Sequence, residues 1–238
     1  GVRYVAMSPN LLVVMLRATL FGGAATSLTA LMPLVAGEWL GGGAILYGTL
    51  LGSFGVGAVV GGMITPFLRA HLSNEAIGRL ACLGSAVTML ILAFHHESWS
   101  NHVALVIAGA CWVFAVSMFN VSFQLAVPRW VLGRALSIYQ TSLFGGLALG
   151  SWLWGIVAND HGLAPALVGA SIVLVANAAL GLILRCPDFS EEDLDPLHEA
   201  AEHETGVMPS LRSDPIQISV EFHILERDIP TLLSLMAA

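Results

Sequence analysis

Over its first 185 residues the chain sets long apolar runs between short polar breaks. Six runs are long enough to cross a hydrocarbon core of about 30 Å, which takes about 20 helical residues: 11–36, 45–68, 77–94, 103–127, 136–158 and 164–184. Backbone amides in lipid must bond within their own segment, and the short alternating strands of a barrel are missing, so the pattern predicts helices. The first run is too long and too thinly flanked by basic residues for a cleaved signal peptide, and further spans follow it. Beyond Cys186 the pattern changes. Residues 186–215 are acidic and carry prolines, which predicts a solvated linker. "IQISVEFHIL" then alternates Ile216, Ile218, Val220, Phe222 and Ile224 with polar residues, as a half-buried strand does. "DIPTLLSLM" follows as a helix start with Pro230 in its first turn. The expected organisation is a six-helix transmembrane domain over 1–185, a linker over 186–215, and the truncated opening of a soluble α+β domain over 216–238.

Composition agrees with the pattern: 56% of the 238 residues are hydrophobic and 11% charged, and the mean hydropathy is +0.81. Charge then adds an orientation. The membrane body holds seven arginines and four acids, whereas residues 186–238 hold two arginines and twelve acids. Arg3, Arg17, Arg69, Arg79, Arg129, Arg134 and Arg185 all fall at one end of the predicted spans. The opposite loops, "GEWLGGGA", "HHESWSNH" and "NDHG", contain no basic residue except histidine. By the positive-inside rule both termini are expected in the cytoplasm, with "PRWVLGR" (128–134) as a cytoplasmic turn. Trp39, Trp99 and Trp130 lie near span ends, where interfacial anchors sit. There is no lysine and no basic run, so nucleic acid is not an expected partner.

Glycine spacing predicts how the spans pack. The second span reads "YGTLLGSFGVGAVVGGM", with Gly48/Gly52 and Gly57/Gly61 as GxxxG pairs, and the fifth reads "YQTSLFGGLALGSWLWG", with Gly146/Gly150. Such faces let helix backbones approach closely in lipid. Tyr47, Thr49 and Leu51 precede Tyr139, Thr141 and Leu143 by 92 residues. Each triplet opens the middle span of a group of three running in opposite directions, which points to a 3+3 inverted repeat.

Candidate chemistry is sparse. Asn120 and Gln124 share one face of the fourth span at i, i+4, with Ser117 nearby, and the first span carries Arg17, Thr26, Ser27 and Thr29. These groups either line a substrate cavity or hydrogen-bond between helices. Arg17 lies about two turns inside its span, where it either snorkels to the headgroups or faces that cavity. No Asp, Glu or His falls within a predicted span, so no proton relay is visible. His95, His96, Glu97 and His102 cluster in one outer loop without the spacing of a metal site. Cys82, Cys111 and Cys186 stand too far apart for a zinc motif. No nucleophilic triad, phosphate-binding loop or catalytic carboxylate pair is present, so neither an enzyme nor a cofactor or metal is expected.

Taken together, "ALMPLVA" (30–36), "LYGTLLGSFGVGAVVGG" (46–62), "FNVSFQLAVPRWVLGRALSIYQ" (119–140) and "LALGSWLWGIVA" (147–158) resemble the C-terminal half of a major facilitator superfamily transporter, in the branch of enterobactin-exporter-like transmembrane secretion effectors. The resemblance implies an all-α membrane protein, one six-helix half of a twelve-helix fold, with a missing N-terminal half as its partner. It implies export of a siderophore- or drug-like small molecule across the bacterial inner membrane by alternating access, with Arg17, Thr26, Asn120 and Gln124 as cavity candidates. In the family the inner loop continues Trp-Val-Arg-Gly-Arg, and Leu132 replaces the first of those arginines, which leaves Arg129 and Arg134 for cytoplasmic gating. The superfamily's Gly-x-x-x-Asp-Arg loop keeps Gly61, Gly62 and Arg69 but has Thr65 and Pro66 in place of an acid. Some members carry a ferredoxin-like domain after the last span, and 216–238 resembles its first strand and helix. The alternative reading is a non-transport scaffold or sensor whose bundle anchors the soluble tail.

Overall fold

The computed structural model describes residues 8–95, 97–128 and 130–184. They form six helices in chain order: α1 (Pro9–Leu34), extended by one π-helical turn (Val35–Trp39), α2 (Ala44–His71), α3 (Asn74–Phe94), α4 (Ser98–Leu125), α5 (Leu132–His161) and α6 (Leu163–Ile183). All six are long and apolar enough to span a bilayer, and no strand occurs among the described residues. The linker and the tail domain expected over 186–238 lie outside the described residues, as does Arg129.

Local chemistry sets the helix ends. Pro9 occupies the first position of α1, where its missing N–H costs nothing. Ser73 caps α3, its Oγ accepting from the Ala76 N–H at 3.2 Å. Gly162, at φ +94°, makes the whole turn between α5 and α6, a conformation that L side chains rarely adopt. Pro33 interrupts the hydrogen-bond ladder of α1 just before the chain widens into the π turn. The helices outrun the apolar runs at several ends, because capping and amphipathic first turns extend a helix past the point where hydropathy falls. The start of α3 at Asn74 rather than 77 is the consequential case.

The helices pack chiefly in three pairs: α1 on α5, α2 on α4, and α3 on α6, with α3 also on α4 and α1 also on α6. Glycine brings the first two pairs together. A Cβ on Gly61 would lie 2.6 Å from Ala110 Cα, and one on Gly57 would overlap the Val106 carbonyl. On the other side, Cβ atoms on Gly146 and Gly150 would overlap the backbone of Thr19 and Gly23. Trp154 Nε1 donates to the Gly23 carbonyl at 2.9 Å, and Thr19 and Ser142 share a hydroxyl bond of 2.8 Å. The glycines expected to pack from α2 behave unequally. Gly57 and Gly61 do pack, but Gly48, like Gly52, has open space where a Cβ would stand. The GxxxG spacing marks both pairs alike, and only the pair near the crossing point of α2 and α4 meets a neighbour.

Candidate functional site

Burial divides the helices into two kinds. Only 17% of the most apolar stretch of α2 and 22% of that of α5 is buried, against 44–61% in the other four. α2 and α5 do not pack on each other; α4 and α1, which touch, join them. The result is an open face bounded by α2 and α5 and floored by α1 and α4, with α3 and α6 behind.

The faces of α4 place its polar residues. Trp112 and Phe119 meet Phe21 of α1, at ring centroid distances of 5.9 and 6.2 Å. Val106 and Ala110 meet α2, and Cys111 and Met118 lie against Gly84 and Gly78 of α3. Asn120 falls in the arc between the α1 and α2 contacts, on the open face, one turn from Val116 and two from Val113. It is half-buried, and its amide donates to the Val116 carbonyl of its own helix at 2.8 Å. Gln124 is exposed one turn further on. Thr26 is buried in α1, with its carbonyl accepting from the Thr29 hydroxyl at 3.1 Å. Arg134 is exposed at the start of α5.

Arg17 neither snorkels nor reaches the open face. It is 0% exposed, and its guanidinium forms a two-point pair with Glu75: Nη1 to Oε2 at 2.6 Å and Nη2 to Oε1 at 2.9 Å. Nη1 also donates to the Leu184 carbonyl at 3.2 Å. Asn177 of α6 holds the Arg17 carbonyl at 3.1 Å, and Arg17 Cζ stands 6.0 Å from the Phe119 ring centre. Arg79 approaches Glu75 Oε1 at 3.9 Å from one turn along α3. Gly181 gives this pair its seat on α6, since a Cβ there would overlap the Glu75 carboxylate and lie 2.5 Å from Arg17 Nη2. The pair exists because α3 starts earlier than the apolar run: Glu75 stands in its first turn, within the buried body. The signal is the Ser-Asn-Glu sequence at 73–75, a cap followed by an acid, as helix starts prefer.

A second arginine, a loop residue by hydropathy alone, also turns out to belong to a helix. Arg69 stands in the last turn of α2, and its Nη2 donates to the Ser117 carbonyl at 2.9 Å and hydroxyl at 2.8 Å. The packing ridge carries the signal: Gly57, Gly61, Thr65 and Arg69 follow one another in four-residue steps along the side of α2 that meets α4.

The comparisons with known proteins agree with this architecture. The sequence model of the transmembrane secretion effector family matches residues 1–238, and the chain belongs to that family, a branch of the major facilitator superfamily. It is 26% identical over 141 residues to the multidrug resistance protein MdtG of Enterobacter lignolyticus, a match that takes in 59% of this chain and 32% of that protein. The aligned part thus spans about a third of the relative's length. No solved structure matches. Family and fold together make this a multi-pass membrane protein.

Proposed function

We propose that the chain is one lobe of an alternating-access carrier that exports a small organic molecule across the bacterial inner membrane, with both termini in the cytoplasm. The open face is the observation that carries this reading. A bundle serving only as an anchor gains nothing by leaving two of its six helices lightly buried around a polar seam. A second six-helix half, covering α2 and α5, would enclose the face as the central path, with Asn120 and Gln124 on its wall.

The packing pattern supports a 3+3 inverted repeat. Exchanging α1, α2, α3 with α4, α5, α6 turns the α1–α5 pair into α4–α2, the α3–α4 pair into α6–α1, and leaves α3–α6 as itself. Repeats of this kind let the two lobes rock about a site near the midplane. Arg129 and Arg134 serve as a cytoplasmic gating contact, and the π turn after Pro33 gives α1 a place to bend at the outer end. The chemistry is movement of a molecule and not its conversion. Resemblance to a multidrug resistance protein supports efflux of an organic compound.

Single cysteines at Asn120 and Gln124, in an otherwise cysteine-free full-length protein, test the reading. Both are expected to react with membrane-impermeant maleimides from one side at a time, at a rate that changes when substrate is added. Labelling only by lipid-soluble reagents, unchanged under every condition, would overturn it.

A further inference from the structure

The end of a helix is where an arginine ordinarily turns outward to the headgroups. Arg69 turns inward. Ser117, which holds it, lies two helical turns before the end of α4, about 12 Å of helix rise. One guanidinium nitrogen makes both bonds, and the other donors of its five N–H set meet no acceptor among the described residues. Among the described residues its charge meets no carboxylate either. Of the acids in the described residues, Glu75 is taken by Arg17 and Arg79, and Glu38, Glu97 and Asp160 belong to the opposite end of the bundle. A part-buried cation without a carboxylate is costly, and an anion with oxygen acceptors relieves that cost.

The space beside it is a groove of about 350 Å³ lined by Gly62, Thr65, Pro66, Arg69, Val113 and Ser117. That volume falls within the range of small-molecule sites, about 300–1,000 Å³. Pro66 has no N–H, so the Gly62 carbonyl lacks the partner it would have in an unbroken helix, and Gly62 lines the same groove as the cation. The Thr65 hydroxyl is turned away to the Gly61 carbonyl at 2.7 Å. The groove opens on the flank of α4 that carries Val113 and Asn120, away from the flank that Cys111 and Met118 press against α3. It therefore faces the path between the lobes and not the lipid beside α3.

We propose that Arg69 and this groove form an anion subsite of the translocation path, which takes the carboxylate of a hydroxy- or amino-substituted organic acid. The oxyanion bonds the free guanidinium donors, and the substituent donates to the Gly62 carbonyl. The inference rests on the reading of the chain as a carrier lobe.

Saturation-transfer NMR on this chain in nanodiscs of uncharged phosphatidylcholine, with 3-hydroxybenzoate as the probe, tests it. The wild type is expected to bind the probe. Arg69→Gln should weaken binding about 10-fold or more, the loss of a charge-assisted contact, and Arg69→Lys should fall between the two, since a point charge lacks the planar fork. Neutral 3-hydroxybenzamide should bind no better to the wild type than 3-hydroxybenzoate binds to Arg69→Gln. Arg69→Gln should keep a cooperative thermal unfolding transition close to the wild-type midpoint, which separates lost binding from a folding defect. Binding that is absent from the wild type, indifferent to Arg69→Gln, or equal for the amide overturns the subsite. So does phosphatidylglycerol in the nanodisc if it displaces the probe, because the anion is then a lipid phosphate. If positions 120 and 124 label from one side at a time and the probe fails, the subsite alone is wrong; if that labelling fails, the lobe reading has failed first.

Discussion

Two arginines enter the bundle from the same end, and the contrast between them separates a structural ion pair from a candidate binding group. Arg17, at the back, joins α1 to α3 and α6 through a two-point pair with Glu75, and is sealed from water. Arg69, at the front, rests on Ser117 by one nitrogen and borders an open groove. A buried ion pair recovers its desolvation cost only when the geometry is good and the remaining donors are met. The back pair has the two-point geometry, with carbonyl and ring contacts added. The front arginine meets no carboxylate among the described residues, and a cation left so in a groove is disposed to bind something.

The largest expected effect breaks the back of this comparison. Glu75→Ala leaves Arg17 buried and uncompensated, and should cost about 3–5 kcal/mol, read as a lowered midpoint of thermal unfolding in detergent. The double variant Arg17→Met, Glu75→Leu removes both charges at similar volume and should recover most of that loss. If Glu75→Ala costs less than about 1 kcal/mol, the pair does not hold the three helices together. Arg69→Gln, by contrast, should lower the midpoint by no more than about 1 kcal/mol, since its part-buried guanidinium rests on Ser117 by one nitrogen only.

Next in size is the packing of α2. Gly61→Val drives a branched side chain into the backbone at Ala110 and should cost about 1–3 kcal/mol or part α2 from α4. Gly52→Val, nine residues earlier on the same helix, meets open space and should change little in the isolated lobe. In the full-length protein Gly52→Val becomes informative: if a second half covers α2, this substitution should impair assembly or transport while leaving the lobe's own stability intact. An equal loss from Gly52→Val and Gly61→Val in the isolated lobe would mean that α2 is covered on both sides.

These cases also measure how far the sequence can be read. The six spans are legible because a run of about 20 apolar residues is what a helix needs to cross a bilayer and more than a soluble core asks for. The GxxxG spacing tells that α2 and α5 pack closely, but not which of two identical signals meets a neighbour, since that depends on where the helices cross. The buried pair escapes hydropathy for a different physical reason. Hydropathy averages over a window, so Glu75 at the polar edge of a span reads as outside it, although one turn of helix carries its side chain inward to Arg17. Arg69 escapes likewise: spacing assigns a residue to a helix end, whereas the direction of a long side chain depends on a partner, here Ser117, that is 48 positions away.

The smallest effect bears on the open face itself. Asn120 bonds a carbonyl of its own helix, which keeps its helical N–H partner when the side chain is replaced. Asn120→Leu should therefore shift stability by no more than about 0.5 kcal/mol, in either direction, in the unfolding assay used for Glu75→Ala. Its effect on export should be out of proportion to that shift: a lower transport rate in vesicles, with substrate dependence altered more than protein level. A residue that held helices together would show the opposite ratio. A stability loss above about 1 kcal/mol with unaltered transport per folded molecule would move Asn120 from the wall of the path into the packing. That would leave Arg69 and Gln124 as the polar groups on which recognition must rest.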